Sequence, residues 1–412
     1  MKAVIIGAGL GGLLSGAKLS GAGYDVQVYE RLPFTGGRFT NLGYKGFQLS
    51  TGALHMIPHG ARGPLASLLR ELGADVTIIP SKPMAVIRNE KGNDINFHDF
   101  MKELSFTKRV KLGTVLAYSL KFKPDNEISF RDWVLKYFED EFLLRLADSF
   151  CGWALSLRAA DVPAMEVLEI IDKMYRYKGP GIPLGGCRAV TDALSEVIRS
   201  NGGKIHTKSC VGRIIVDGDR TTGVIVDGKK ASADIVISNI GHIETSRMYD
   251  CMDQDYLAKT RKTRPSQGIK ICLSSDEPLL GHSGALFTPY TRRINGINEV
   301  TNADPSLAPE GKHLIMSHQT TLSGNACLEI NLGLSDLKML FPDKNFEVLM
   351  VQSYSGGWPV NRVSSGSDRG NMTPVSNLYI VGDGAKGKGG IEVEGVALGV
   401  MNTMKVLLEK TG

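Results

Sequence analysis

The chain has 412 residues, of which 42% are hydrophobic and 22% charged, and its formal net charge is +5. This length suffices for two domains with substantial cores, and the absence of a Lys/Arg block argues against a nucleic-acid-binding protein. The six cysteines are scattered without a C-x-x-C pair, which predicts reduced thiols in a cytoplasmic protein and neither a metal site nor a disulfide framework. The apolar runs fall short of the ~18 residues of a membrane span, and peripheral membrane contact stays open.

The first thirty residues carry the clearest pattern. An apolar strand is predicted at 2–6, and Gly7-Ala8-Gly9-Leu10-Gly11-Gly12 follows it directly. A small-residue helix comes next, then a second strand at 24–29 that ends in Glu30. The order of strand, G-x-G-x-x-G, helix, strand and acid is the fingerprint of a dinucleotide-binding βαβ unit.

Each position of this fingerprint has a physical role. Gly7 permits the tight turn, Gly9 lets a pyrophosphate approach the backbone, and Gly12 lets helix and strand pack closely. The helix N-terminus attracts phosphate oxygens, and Glu30 accepts hydrogen bonds from ribose hydroxyls. The cofactor contacts predicted in this unit are those of Gly7, Gly9, Leu10, Gly11, Gly12, Glu30 and Arg31.

The residues after the acid indicate which dinucleotide is bound. Glu30-Arg31-Leu32-Pro33-Phe34-Thr35-Gly36-Gly37-Arg38 resembles the E-x(5)-G-G-R extension of the FAD-binding amine oxidase and phytoene desaturase superfamily. The resemblance implies FAD as cofactor, a close backbone approach at Gly37, and contact between Arg38 and a diphosphate or a neighbouring group. An NAD dehydrogenase has no need of this extension.

In that family the next loop lies against the flavin ring, which implies cofactor contacts from Ala53 and Leu54. This chain has Ser50 near the position where the family commonly has an aspartate. His55 follows in the same loop, and two interpretations of it stay open: a residue near the flavin ring, or a structural or surface histidine.

Two later segments resemble further parts of the same family. In the first, the family uses the backbone of a valine to bind adenine, and the corresponding residue here is Val211. In the second, Gly382 and Asp383 resemble the L-(Y/F)-x-x-G-D flavin signature, so that Asp383 would bond the ribityl chain or a nearby water. A helix that begins near Gly390 and Ile391 would direct its positive end toward the flavin.

Lys270 is the candidate catalytic residue. It lies in the predicted strand 269–273, which resembles the amine oxidase segment whose lysine holds a water against flavin N5. The alternative is an exposed lysine on an edge strand.

The substrate side is less distinctive. Tyr354 and Trp358 lie ahead of the last flavin motif and could line the substrate cavity, or they could be ordinary packing residues. The mostly helical stretch before residue 182 contains an apolar stripe that fits core packing or a substrate tunnel: Phe138, Phe142, Leu143, Leu146 and Phe150.

The predicted fold is α/β, with a Rossmann-type FAD-binding domain that is discontinuous in sequence and an interleaved α+β substrate domain. The FAD-binding domain is predicted to comprise residues 1–72, 183–242 and 372–412. The substrate domain is predicted to comprise residues 73–182 and 243–371.

The resemblance implies an FAD-dependent oxidoreductase, phytoene desaturase-like, that transfers a hydride from an apolar, isoprenoid or carotenoid-like substrate to flavin N5. The alternatives are a flavin amine oxidase that uses Lys270, and a flavin-free prenyl-binding protein of the Rab GDP-dissociation inhibitor type. Only one complete dinucleotide fingerprint is present, so the expected electron acceptor is oxygen, a quinone or another carrier rather than NADPH.

Overall fold

The computed structural model describes residues 1–124, 128–354 and 369–409. The helices in these ranges are α1 (Leu10–Gly21), α2 (Pro64–Glu71), α3 (Phe97–Glu103), α4 (Phe106–Phe122), α5 (Phe130–Tyr137), α6 (Glu141–Leu155), α7 (Ala164–Tyr177), α8 (Cys187–Ser200), α9 (Gly241–Arg247), α10 (Gln254–Arg261), α11 (Ala326–Leu340) and α12 (Glu392–Glu409). None of these described helices combines the length and the apolar content needed to cross a bilayer.

The strands are β1 (Lys2–Ile6), β2 (Asp25–Tyr29), β3 (Asn41–Tyr44), β4 (Phe47–Ser50), β5 (Ile78–Pro80), β6 (Ala85–Arg88), β7 (Asp94–Asn96), β8 (Gly181–Pro183), β9 (Lys204–His206), β10 (Val211–Asp217), β11 (Arg220–Val226), β12 (Lys229–Ser232), β13 (Ile235–Ser238), β14 (Gly268–Ser275), β15 (Ala285–Phe287), β16 (Ile294–Glu299), β17 (His313–Thr320), β18 (Glu347–Tyr354) and β19 (Leu378–Ile380).

A five-stranded parallel sheet holds the predicted βαβ unit. Its strand order is β19-β13-β1-β2-β9, so β1 is central and pairs in parallel with β13 and β2. Side chains of β1 alternate between the two faces, as they must in a strand. Ala3 and Ile5 pack toward α1, α8 and α12, whereas Val4 and Ile6 pack toward the β10-β11-β12 sheet. Both faces are therefore covered, as parallel sheets require.

A seven-stranded sheet forms the second half of the molecule, with the order β18-β14-β17-β16-β15-β6-β7. Apolar residues of β14, β16 and β17 pack with α11 on one face, and helices α3 to α7 form a separate apolar cluster with β6 and β15. Because β14 lies between β18 and β17, it is an interior strand. The alternative that placed Lys270 on an exposed edge strand is therefore wrong.

The predicted α/β fold class is confirmed, with a parallel Rossmann-type sheet beside a mixed sheet and helices. The parallel sheet draws on three separated parts of the chain: 2–29, 204–238 and 378–380. The exact division of the chain at residues 72, 182, 242 and 371 stays a prediction.

Candidate functional site

A cavity of about 500 Å³ lies at the carboxyl ends of β1, β2, β13 and β19 and extends to the seven-stranded sheet. In open α/β sheets, ligands bind at this edge. One part of its lining, which we name the glycine-rich wall, consists of Gly7, Gly9, Leu10, Gly11, Glu30, Arg31, Gly36, Gly37, Arg38, Ser209, Cys210, Val211, Asn239, Gly382 and Asp383. A second part, the apolar wall, consists of Met84, Ala85, Phe150, Trp153, Ala154, Met174, Ala285, Phe287 and Tyr354. The remaining lining residues, among them Glu244 and Glu392, belong to neither wall.

Close approach between loops explains the glycines. A Cβ on Gly12 would lie 2.1 Å from the Gly7 carbonyl oxygen, so this residue sets the contact between α1 and β1. A Cβ on Gly11 would lie 2.8 Å from the backbone nitrogen of Gly382 and 2.6 Å from Oδ1 of Asn239. The first turn of α1 and the loop after β19 therefore lie in close backbone contact. The first N–H groups of α1 have no partner within the helix and can serve a ligand at this edge.

Asn239 is a site residue that the sequence analysis missed. Its side chain fills the space between the loops, because a Cβ on Gly9 would lie 2.5 Å from its Nδ2 atom and a Cβ on Gly382 would lie 2.4 Å from its Oδ1 atom. Its place at the carboxyl end of β13, next to β1, could have indicated this role, since parallel strands end at one edge of the sheet.

The Glu30 carboxylate holds the first loop in place. It is buried, and its Oε2 atom accepts from the backbone nitrogen of Ala8 at 2.8 Å while Oε1 accepts from that of Leu32 at 2.9 Å. Each oxygen has a further lone pair, and Glu30 lines the cavity. It can therefore accept hydrogen bonds from a ribose as well.

Arg38 and Asp383 meet across the cavity wall, although 345 residues of sequence separate them. A guanidinium nitrogen of Arg38 lies 3.1 Å from a carboxylate oxygen of Asp383, and the Lys386 ammonium lies 3.5 Å from the other oxygen. Arg38 and Lys386 thus form a cluster of two cations around one carboxylate. Such a cluster suits a diphosphate.

Other predicted cofactor residues divide into two groups. Ala53, Leu54 and Ile391 line the cavity, as do Val211 and the residues of the glycine-rich wall.

Gly12 and Gly390 lie behind the surface of the cavity. A Cβ on Gly390 would lie 2.4 Å from Cα of Gly395, so this glycine sets the packing at the start of α12. Trp358 lies outside the described residues. The roles assigned to these residues stay predictions.

Lys270 is fully buried and is not among the residues that line the cavity. Its Nζ atom donates to the Ser50 carbonyl at 2.5 Å, to Ser50 Oγ at 3.0 Å and to the Gly52 carbonyl at 2.7 Å. These three acceptors match the three N–H donors of an ammonium group. Burial lowers the pKa of Lys270. The lysine thus holds the Ser50–Gly52 segment, and Gly52 itself lines the cavity.

His55 also lies behind the cavity wall. Its Nδ1 atom faces the backbone N–H of Cys187 at 3.2 Å, so Nδ1 must accept and Nε2 must carry the proton, which it donates to the Gln48 carbonyl at 2.7 Å. Burial lowers the pKa of His55 to about 4. These contacts describe a neutral histidine that joins β4 to the start of α8, in line with its structural interpretation.

The apolar wall is built around Phe287. Its ring centroid lies 5.7 Å from that of Phe150 and 5.5 Å from that of Trp153, the latter pair nearly perpendicular. Of the predicted stripe, Phe150 lines the cavity, whereas Phe138 is buried in the helical cluster. In the described ranges, no group of three or more His, Cys, Asp and Glu side chains could hold a metal ion.

The fold and the cavity define the class of the protein: a dinucleotide-binding enzyme whose second wall is apolar. The sequence profile of the flavin containing amine oxidoreductases matches residues 10–398. The chain therefore belongs to the flavin containing amine oxidoreductase family.

Relatives agree with this membership. An oxidoreductase structure from Methanosarcina mazei is 54% identical with a TM-score of 0.95, and the match covers 98% of this chain and 100% of that one. An uncharacterised protein of Methanocaldococcus jannaschii is 47% identical over 99% of both chains. A zeta-carotene-forming phytoene desaturase of Myxococcus xanthus is 26% identical, over 76% of this chain and 70% of its own length.

The protein is an FAD-dependent oxidoreductase. The residues present fit the cofactor, because the glycine-rich loops, the buried acid Glu30 and the cation Arg38 all line one cavity, with Lys386 beside the Asp383 carboxylate. Glu30 would hold a ribose, Arg38 would lie at the diphosphate, and the backbone of Val211 would bind the adenine.

Proposed function

We propose that the protein oxidises an apolar, isoprenoid or carotenoid-like molecule by hydride transfer to flavin N5. The observation that carries this proposal is the apolar wall. It places four aromatic side chains and two methionines on the cavity that also contains the cofactor residues, and in this wall only the hydroxyl of Tyr354 and the indole N–H of Trp153 are polar. A hydrocarbon chain gains free energy on entering such a surface.

The chain's own residues would act by position and by exclusion of water. When bound, FAD supplies the hydride acceptor. Phe287, Phe150 and Trp153 would hold the substrate and keep water from the reacting carbon. Lys270 would act as a positioning residue, because it fixes the Ser50–Gly52 segment whose last residue lines the cavity.

The relatives support the same substrate class. The Myxococcus xanthus relative is a phytoene desaturase, and two further bacterial relatives, each 25–26% identical over 58% of this chain, are neurosporene-forming phytoene desaturases. That this chain acts on the same class of apolar substrate as these relatives is part of the proposal. So is the electron acceptor, which we propose to be oxygen or a quinone rather than NADPH.

An amine substrate is the second candidate, since aromatic rings also suit amines. The contacts of Lys270 speak against it, because all three of its donors are directed to Ser50 and Gly52 and none remains for a water at flavin N5. The apolar wall contains no acidic residue, and the acids that line the described cavity lie outside that wall: Glu30, Glu244, Asp383 and Glu392.

Bleaching of the flavin in the absence of oxygen distinguishes the apolar substrate from the amine substrate. Purified yellow protein is mixed with a detergent-solubilised polyene, with an aliphatic diamine, with benzylamine or with NADPH, and flavin absorbance is followed. We expect rapid bleaching by the polyene and none by the amines or NADPH. Bleaching by an amine alone would establish the second candidate. Protein that stays colourless with added FAD would contradict both.

A further inference from the structure

Helix α4 presents large apolar side chains to the outside of the molecule. Phe106 is 75% exposed and Phe122 is 60% exposed, and Val110 and Tyr118 are more than half exposed. The four residues form two pairs at a spacing of four, so each pair shares one side of the helix. Exposed apolar residues are common singly, whereas here two exposed pairs lie on one helix, about 18 Å apart along its axis and about 120° apart around it. Both pairs lie on the half of the helix that faces away from the protein, which points to a binding surface.

The opposite side of α4 already has its own packing. Leu112, Val115, Leu116 and Leu120 are half-buried against the apolar cluster of the helical region, and α4 packs on α7. The exposed side chains are therefore not the ones that attach α4 to the protein. Tyr118 and Phe122 pack on each other, with ring centroids 4.8 Å apart.

The charge of this segment has one sign. Residues 105–124 contain five basic residues and no aspartate or glutamate: Lys108, Arg109, Lys111, Lys121 and Lys123. Lys108 pairs with Asp140 of the neighbouring loop at 2.6 Å, and Lys123 lies 3.8 Å from Glu169.

Two of the lysines are available to an external anion. Lys111 and Lys121 are exposed, and in the described ranges neither forms an ion pair with a carboxylate. Each has its ammonium over an aromatic ring instead, Lys121 at 5.3 Å from the centroid of Phe122 and Lys111 at 5.5 Å from that of Phe138. Lys121 thus shares its surface with the exposed ring of Phe122, whereas the ring beneath Lys111 is the buried Phe138.

We propose that α4 docks the protein on an anionic lipid bilayer. Exposed aromatic rings favour the level of the lipid headgroups, and lysines beside them attract acidic lipids. The exposed apolar residues of α4 suit the headgroup level of the bilayer, and its basic residues, with no acid between them, suit the negative charge of acidic lipids. Binding would lay α4 along the membrane plane, with Phe106, Val110, Tyr118 and Phe122 in the interface.

The docking also connects with the cavity. Helix α4 packs on α7, and α7 contributes Met174 to the apolar wall. Transfer of a lipid substrate from the bilayer to that wall rests on the proposed function, whereas the docking itself does not.

Vesicle sedimentation of the full, FAD-loaded chain tests the docking. Vesicles of phosphatidylglycerol mixed with phosphatidylcholine are compared with vesicles of phosphatidylcholine alone, at low and high salt. We expect binding to the anionic vesicles that weakens with salt. The double variant Lys111→Glu/Lys121→Glu should bind about thirtyfold more weakly. Each lysine contributes about 1 kcal/mol to membrane binding, and about 1.4 kcal/mol corresponds to a tenfold change in affinity.

The matched control is Lys229→Glu/Lys230→Glu, which makes the same charge change on two exposed lysines of β12. It should bind like the parent chain. Phe106→Ser/Phe122→Ser should weaken binding even at low salt, because it removes the apolar contribution. Flavin absorbance and melting temperature confirm that each variant is folded.

Equal binding to both kinds of vesicle, or an equal loss in the β12 control, would overturn the proposal. So would salt-dependent self-association of the chain on gel filtration that the α4 variants abolish, since that result assigns the surface to a second copy. The bleaching assay uses substrate in detergent, so failure of the docking and failure of the proposed reaction are separate results.

Discussion

The two walls of the cavity differ in how they are built. The glycine-rich wall consists mainly of short loops at the ends of parallel strands, and their backbones make the contacts. The apolar wall consists of Met84 and of side chains from α6, α7, β6, β15 and β18, most of which also pack in the helical apolar cluster or against it. Cofactor binding therefore depends on glycines that leave room as well as on a few charged side chains such as Glu30 and Arg38, whereas substrate binding depends on apolar side chains.

This difference also separates the effects of substitution. A change in the glycine-rich wall should affect cofactor binding first, and a change in the apolar wall should affect substrate binding first. Substitutions of Gly11, Asp383 and Phe287 test that separation, and Glu394 at the start of α12 tests how a buried acid behind the walls affects stability. The expected effects are given from the largest to the smallest.

Gly11→Val should abolish FAD binding. The new Cβ would lie 2.8 Å from the Gly382 nitrogen, so the loops after β1 and β19 must separate. Flavin absorbance per protein checks the loss, and circular dichroism checks the fold. The control is Gly21→Ala in the same helix, where a Cβ meets nothing within 4 Å. Normal flavin content in Gly11→Val would show that these loops do not form the cofactor site.

The pH dependence of stability should change in Glu394→Gln. Glu394 lies two residues after the start of α12, fully buried, and accepts from the backbone nitrogens of Leu65 and His59 at 2.8 and 3.1 Å. Burial raises its pKa from 4.5 to about 7. Between these values the folded state keeps a proton that the unfolded state releases, so this carboxyl lowers stability as pH rises from 4.5 to 7.

Across this pH range the contribution of Glu394 to the free energy of unfolding should change by about 3 kcal/mol. Urea unfolding of both proteins at several pH values measures it, and the advantage of the parent chain at low pH should shrink toward pH 7. Parallel stability curves would mean that Glu394 keeps an ordinary pKa. Glu409→Gln at the exposed end of the same helix is the control and should follow the parent.

Asp383→Ala should weaken FAD binding by about thirtyfold, since removal of one member of a partly buried charge pair costs about 2 kcal/mol. Arg38 and Lys386 then lose their shared carboxylate, and Arg38 loses its fixed position. Asp383→Asn keeps the hydrogen-bond acceptor and should lose less. A fluorescence titration with FAD measures both. Tighter binding in Asp383→Ala would show that the carboxylate mainly repels the diphosphate.

Phe287→Leu should raise the KM for the substrate about tenfold and leave FAD binding unchanged, because it alters the shape of the apolar wall alone. The spectral change of the flavin on substrate addition gives the affinity directly. Phe138→Leu, in the same helical cluster but away from the cavity, is the control. Loss of FAD from Phe287→Leu would contradict the separation of the two walls.

Much of the glycine-rich wall could be predicted from spacing alone. Glu30 and Gly11 lie in one βαβ unit, and the structure places both on the cavity at the ends of adjacent strands. Asn239 was missed because its role depends on β13 lying beside β1, which is a long-range pairing. The contacts of Lys270 could not be predicted from the sequence either, because its acceptors at Ser50 and Gly52 are more than 200 residues away along the chain.

The sequence by itself determined the α/β fold, the dinucleotide fingerprint and the flavin family, because these depend on local spacing and on glycines where a Cβ cannot fit. Tertiary structure alone decided which apolar residues line the cavity. Phe150 and Phe138 are the same residue type in one helical region, yet only Phe150 lies on the cavity. Burial acts on both alike, so no local pattern distinguishes a wall residue from a core residue.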